Sequence, residues 1–90
     1  MQTESIDSEA NPRDRIRHFI RTEILESPDE VIEDDTPLIS DGYMNSLSTL
    51  KVVSFLEETF DVQLAAHEIS VDYLDSINQI VATVEEKLGS

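Results

Sequence analysis

Ninety residues without a cysteine fit one small domain with a limited core, and exclude a disulfide framework, a thiolate metal site and a cysteine nucleophile. Twenty acidic against six basic residues leave a net charge of −14. Such a surface repels nucleic-acid phosphates and anionic membranes, and steers the chain toward basic patches on partner proteins. No segment approaches the roughly 20 apolar residues of a membrane span, and the N-terminus lacks a basic region followed by an apolar run, so a soluble, cytoplasmic monomer is expected.

Residues 1–11 carry one large aliphatic side chain besides the initiator and show no period, so a disordered tail is expected before a single domain over residues 12–88. Asn11-Pro12 marks a helix start: Asn11 as N-cap, Pro12 at the first helical position where a missing N–H costs nothing, and Asp14 in the first turn. Ile16, Phe19, Ile20 and Ile24 define the buried face. His18 flanks it and reads as a partly exposed helix residue, not as a base or a ligand. Four of the six cations, Arg13, Arg15, Arg17 and Arg21, fall on this helix, whereas from Glu26 onward fifteen acids face only Lys51 and Lys87. Ser27-Pro28 ends the helix, because proline disfavours helical geometry in the residue before it and offers no donor.

A long connection follows, Asp29 to Asn45, with Val31, Ile32, Leu38 and Ile39 among acids. A loop of this length in so small a domain is either functional or packed down by its own apolar residues. Both are expected here, with Leu38 and Ile39 as anchors. Asp34, Asp35 and Asp41 invite a calcium site, but the alternating oxygen ligands of an EF-hand are interrupted by Pro37, Leu38 and Ile39.

The loop closes on Ser40-Asp41-Gly42-Tyr43-Met44-Asn45-Ser46-Leu47, and a long helix starts within it. Asn45 is a good N-cap, and Leu47, Leu50, Val53, Leu56 and Phe60 recur at three- and four-residue steps. Ser46 then sits in the first turn, where N–H groups lack intrahelical partners and the helix dipole favours a phosphate ester. Leu50, Val53, Leu56 and Phe60, with Val52 alongside, are expected to be buried. Leu47, Lys51, Ser54 and Glu58 form the outer stripe, with Leu47 either an exposed contact point or packed on the loop through Met44. After Asp61–Leu64, residues 65–69 are expected to form a short helical turn with Ile69 buried and His67 at the surface. Asp75 is expected to cap the last helix, where Ile77, Ile80, Val81, Val84 and Leu88 give a period of 3.6. No segment alternates as a strand does. The fold class expected is all-α, a small four-helix bundle of three long helices and one short one, with a long loop after the first.

Gly42-x-x-Asn45-Ser46-Leu47, followed by Leu50, Val53, Leu56-Glu57 and Phe60, resembles the signature of acyl, aminoacyl and peptidyl carrier proteins: Gly-x-x-Asp-Ser-Leu, then a helix closing on Leu-Glu-x-x-Phe. Leu74-Asp75-Ser76-Ile77 resembles the start of that family's last helix, Val62 and Leu64 its inward-pointing pair, and the likeness spans roughly Arg13 to Leu88. The resemblance implies a free-standing carrier with no catalytic residue and no metal of its own. A 4′-phosphopantetheine arm from coenzyme A would be attached to Ser46, with Asn45, Gly42 and Asp41 around it, and would hold acyl or aminoacyl groups as thioesters. It implies docking through Met44, Leu47, Lys51, Ser54, Glu58 and Ile69. The partners implied are a phosphopantetheinyl transferase, an acyl- or aminoacyl-loading ligase or adenylation enzyme, and downstream synthase or tailoring enzymes. Fatty-acid carriers usually have acids at the counterparts of Ser48 and Lys51, so this chain looks suited to polyketide or nonribosomal peptide biosynthesis.

One departure stands out: Asn45 occupies the position where the family has aspartate. Asparagine caps a helix as well, so the fold should be unaffected. The missing charge is one that, by resemblance, helps the transferase hold its metal and coenzyme A. Slow modification, a co-evolved transferase, or an unmodified acidic adaptor with a degenerate site would each follow. A hydrolase built from Ser46 with His67 or His18 is the competing enzyme class; ninety residues leave little room for a pocket, and no Gly-x-Ser-x-Gly elbow is present.

Overall fold

A computed structural model of the chain describes residues 11–27 and 29–89. The disorder expected of residues 1–11 lies outside these, Asn11 apart, as does the part assigned to Pro28. Four α-helices, a π-helical turn and a 3₁₀ turn make up the described residues, with no strand among them, which agrees with the all-α bundle expected.

Helix α1, Pro12–Phe19, starts as its sequence dictates: the Asn11 side chain accepts the Arg13 N–H at 3.0 Å, and Pro12 takes the first position. It does not continue to Ile24 as one α-helix. Residues Ile20–Ile24 widen into a π-helix, in which Leu25 donates its N–H to the Ile20 carbonyl at 2.9 Å. A wider turn brings residue i+5 back under residue i, so Leu25 joins Ile20 on the core instead of pointing away from it. Glu26, at φ 54°, then turns the chain out of the helix.

Three apolar residues of the long connection belong to the core proper: Ile32, Leu38 and Met44. Asp34 ties the same segment to two helices. It pairs with Arg13 at 3.0 Å and with Arg17, and its carbonyl accepts the Asn78 N–H at 2.9 Å. Arg13 also reaches Asn78 Oδ1 at 2.7 Å. Half-exposed ion pairs of this kind contribute only about 0–1 kcal/mol each, so they fix the path of the segment more than they stabilise the fold.

Helix α2, Ser46–Phe60, buries Thr49, Val52, Val53 and Leu56. This corrects the expected face, since Leu50 is 50% exposed and Thr49 takes the inward place one residue earlier. A threonine can do so because its Oγ1 bonds back to the Asn45 carbonyl at 2.7 Å, leaving no unsatisfied hydroxyl in the core. Phe60 is only half buried, with Phe55 edge-on to it and the Arg15 guanidinium 5.7 Å above its ring. Phe55 stacks on Phe19 at 4.1 Å, joining α2 to α1. The helix stops at Asp61 in the left-handed conformation, φ 58°.

The short helical turn expected at 65–69 is present, and a one-turn helix follows it. Residues Ala66–Glu68 make only a 3₁₀ turn, and the one-turn helix α3, Val71–Leu74, follows behind a Ser70 N-cap. Lys87 bonds the Glu68 carboxylate at 2.8 Å and the Ala65 N–H bonds it at 2.7 Å, which holds that carboxyl below its usual range and pins the turn to the last helix. Helix α4, Ile77–Leu88, buries Ile77, Ile80, Val81 and Val84 as its period required, but Leu88, the last residue of that period, is 51% exposed at the helix end. Its cap is Ser76, whose Oγ accepts the Gln79 N–H at 3.1 Å, and not Asp75. Asp75 has αR geometry at the end of α3, whereas an N-cap needs an extended backbone. Among the described residues no helix is long and apolar enough to cross a membrane.

The fully buried Leu56 sits at the centre of this core. Leu56→Ala is expected to cost about 2–5 kcal/mol through lost burial and a residual cavity, against less than about 0.5 kcal/mol for Leu47→Ala on the surface; urea denaturation of both variants measures the contrast.

Candidate functional site

The segment before α2 is held by hydrogen bonds as well as by the buried Leu38 and Met44. The Asp41 N–H bonds the Pro37 carbonyl at 3.0 Å, Gly42 bonds Ile39 at 3.1 Å, and Met44 bonds Leu38 at 2.9 Å. Gly42 lies at φ 88°, and a Cβ there would meet nothing within 4 Å, so the residue is glycine for its backbone angle and not for lack of room. At the far side Asp75 receives the segment: its Oδ1 accepts the N–H groups of Ile39 at 2.7 Å and Ser40 at 2.9 Å, and its Oδ2 accepts the Ser40 hydroxyl at 2.7 Å. Burial pushes the Asp75 carboxyl up, but the bonds from Ser40 and Ile39 outweigh it and hold the carboxyl below its usual range.

Asn45 then caps α2 in extended geometry, its Oδ1 accepting the Ser48 N–H at 2.8 Å and its carbonyl the Thr49 N–H at 2.8 Å. Ser46 follows as the first helical residue and is exposed. Beside it runs a groove of about 480 Å³, walled by Ile39, Thr49, Leu50, Ile69, Ser70 and Val71. None of its lining residues is charged, in a chain of net charge −14. A larger cleft of about 600 Å³ lies against α1, but it is walled by charged side chains, and its one hydroxyl, on Thr22, is engaged by the His18 carbonyl at 2.7 Å. The groove, not the larger cleft, has an exposed serine in its lining.

Of the residues expected to dock partners, Leu47 is 66% exposed, and Lys51, Ser54 and Glu58 share the outer stripe with it. Ile69 is half buried in the groove wall. Met44 is a correction: at 2% exposure it belongs to the core and has no surface to offer. Its bond to Leu38 turns the chain so that the side chain points inward. Sequence reasoning missed Leu50 and Val71, exposed by 50% and 46%, which extend the apolar surface from Leu47. The signal was available for Leu50, which stands four residues after Ser46 and so shares its face. Neither histidine lines the groove: His18 is on the α1 cleft, and His67 is edge-on to Tyr73 at 5.8 Å. No cluster of three or more metal-ligating side chains occurs among the described residues.

The family model described as "Phosphopantetheine attachment site" matches residues 15–89. The chain belongs to that family. Similar proteins include the D-alanyl carrier protein of Leuconostoc mesenteroides, 27% identical over 77 residues, covering 86% of this chain and 96% of the relative. The D-alanyl carrier protein of Leuconostoc citreum is 26% identical over the same shares of the two chains. A covalently attached 4′-phosphopantetheine follows from this membership. The carrier's own residues fit such a group: an exposed hydroxyl opens a capped helix whose dipole favours phosphate, next to a neutral groove with room for an uncharged arm.

Because the folded Asp75 carboxyl titrates below the ~3.9 of an unfolded aspartate, its contribution to stability is complete above that value and is lost as pH falls through the lower folded value. Asp75→Asn is therefore expected to be less stable than wild type near neutral pH, with the gap closing in acid; denaturation midpoints across the acid range measure it.

Proposed function

We propose that Ser46 bears the phosphopantetheine arm and that the chain, without catalysing a reaction itself, shuttles an acyl or aminoacyl group between enzymes in the cytoplasm. The observation that carries this reading is the exposed Ser46 at the first position of α2, behind the Asn45 cap and beside the neutral groove. Loading requires little of the carrier. The Ser46 Oγ forms the new bond to phosphorus, the pyrophosphate P–O bond of coenzyme A breaks, adenosine 3′,5′-bisphosphate leaves, and the hydroxyl proton passes to a base on the transferase. When bound, the arm supplies a flexible terminal thiol that holds its cargo as a thioester.

The carrier's other task is to be recognised. Leu47, Leu50 and Val71 present apolar surface around Ser46, and Lys51, Ser54 and Glu58 add polar contacts along the outer face of α2. Ile39 and Ile69 line the groove behind, where the arm can rest. Partners of three kinds follow: a phosphopantetheinyl transferase, a ligase or adenylation enzyme that loads the cargo, and synthase or tailoring enzymes that consume it. An aminoacyl cargo is supported by the D-alanyl carriers among its relatives. Ser48 and Lys51, neither of them acidic, support polyketide or nonribosomal peptide assembly over fatty-acid synthesis.

Incubation with coenzyme A and a broad-specificity transferase is expected to add one phosphopantetheine to wild type and none to Ser46→Ala, read by intact mass. Absence of an adduct across several transferases would favour the unmodified adaptor. Asn45→Asp is expected to speed the modification by restoring the charge before the serine, with stability unchanged to within a few tenths of a kcal/mol because both residues cap equally well; single-turnover loading and thermal melts separate the two effects.

A further inference from the structure

We propose that Asp75 is a positioning residue for the loading of Ser46, acting through residues 38–45 without touching the serine. This rests on the reading of Ser46 as the attachment site. Asp75 gathers four donors from three consecutive residues: its carbonyl accepts the Leu38 N–H at 2.5 Å, its Oδ1 the N–H groups of Ile39 and Ser40, and its Oδ2 the Ser40 hydroxyl. Leu38 passes the constraint on, since its carbonyl accepts the Met44 N–H at 2.9 Å. Met44 directly precedes Asn45, whose side chain and carbonyl fix Ser48 and Thr49 in the first turn of α2, the turn that presents Ser46. Between these points Ser40, Asp41, Gly42 and Tyr43 are all exposed, so packing holds the turn only at its ends, Leu38 and Met44.

The choice of side chain fits this task. A carboxylate takes three donors at once on two oxygens, and does so more strongly when ionised. An asparagine offers one uncharged acceptor oxygen, and its NH₂ can only donate to the Ser40 hydroxyl, so the charge-assisted bonds are lost. Asp75 also stands where an aspartate could cap α4, yet Ser76 does the capping. The carboxylate is committed to the segment before Ser46 and contributes nothing to the start of α4.

The test compares wild type with Asp75→Ala, Asp75→Asn and Asp75→Glu, with Ser46→Ala as the control for the attachment point. Transfer from coenzyme A by a broad-specificity phosphopantetheinyl transferase is followed by intact mass at varied carrier concentration. Amide hydrogen exchange is measured by NMR on the same unmodified proteins. Asp75→Ala is expected to lose about tenfold to a hundredfold in kcat, as a displaced reacting group does. KM should stay within about twofold, because the outer face of α2 is untouched. Asp75→Glu should recover part of the loss. Exchange at Met44 and Ser48 should rise about tenfold while Val81 and Val84 in α4 stay within about twofold of wild type, the pattern of a local opening and not of global destabilisation. If Asp75→Ala does not fold by circular dichroism, Asp75→Asn carries the same comparison at smaller amplitude.

Unchanged exchange at Met44 and Ser48 overturns the proposal, as does loading of the folded variants at the wild-type kcat. A wild type that takes no adduct, or an adduct that survives Ser46→Ala, overturns the attachment reading and the proposal with it. That failure is distinct from one confined to Asp75, in which wild type is loaded at Ser46 and Asp75→Ala is loaded equally fast.

Discussion

A carboxylate at the junction of α3 and α4 reaches across the bundle to the backbone of Ile39 and Ser40, and where Ser46 comes to lie depends on that contact. A connection as long as residues 29–45 must find partners for its N–H and C=O groups, and with no strand among the described residues it has no ladder there to supply them. Two aspartates meet the need from opposite ends. Asp34, within the connection, draws in Arg13, Arg17 and the Asn78 N–H, while Asp75, outside it, takes the donors of Leu38, Ile39 and Ser40. Acids that composition alone assigns to solubility are here structural.

Charge is distributed to match the task. A net charge of −14 gives long-range attraction to basic partner surfaces, which raises encounter rates without demanding tight binding. Around Ser46 the character changes to the neutral groove and to exposed Leu47, Leu50 and Val71. Long-range steering and short-range apolar contact are thus separated in space, as suits the proposed shuttle between several enzymes. A tethered cargo raises its own effective concentration at any docked enzyme, so the docking itself can be weak.

Local chemistry made much of this legible in the sequence. Asn11-Pro12, the Asn45 cap and the apolar period of α4 each express an interaction closed within one turn, and each is found as expected, Leu88 at the end of α4 apart. The resemblance carried by Gly42, Asn45, Ser46 and Leu47 led to the family that matches residues 15–89. What the sequence hid depends on partners far along the chain. Asp75 and Ser76 are both competent caps, and only the approach of Ser40, thirty-five residues away, decides between them. Leu50 and Thr49 likewise compete for one inward position. The longer apolar side chain is the better guess, but the threonine wins because its hydroxyl has a carbonyl to bond one turn back. The π-turn was invisible because no periodicity template contains it.

Met44 and Leu38 share one core with the helices, and the consequence reaches beyond packing. To detach the stretch that leads to Ser46, both side chains would have to be pulled into water, so it opens less readily than a loop that only rests on the surface. A newly made chain therefore shows a usable serine only once the bundle has closed, and display of that hydroxyl doubles as a certificate of completed folding.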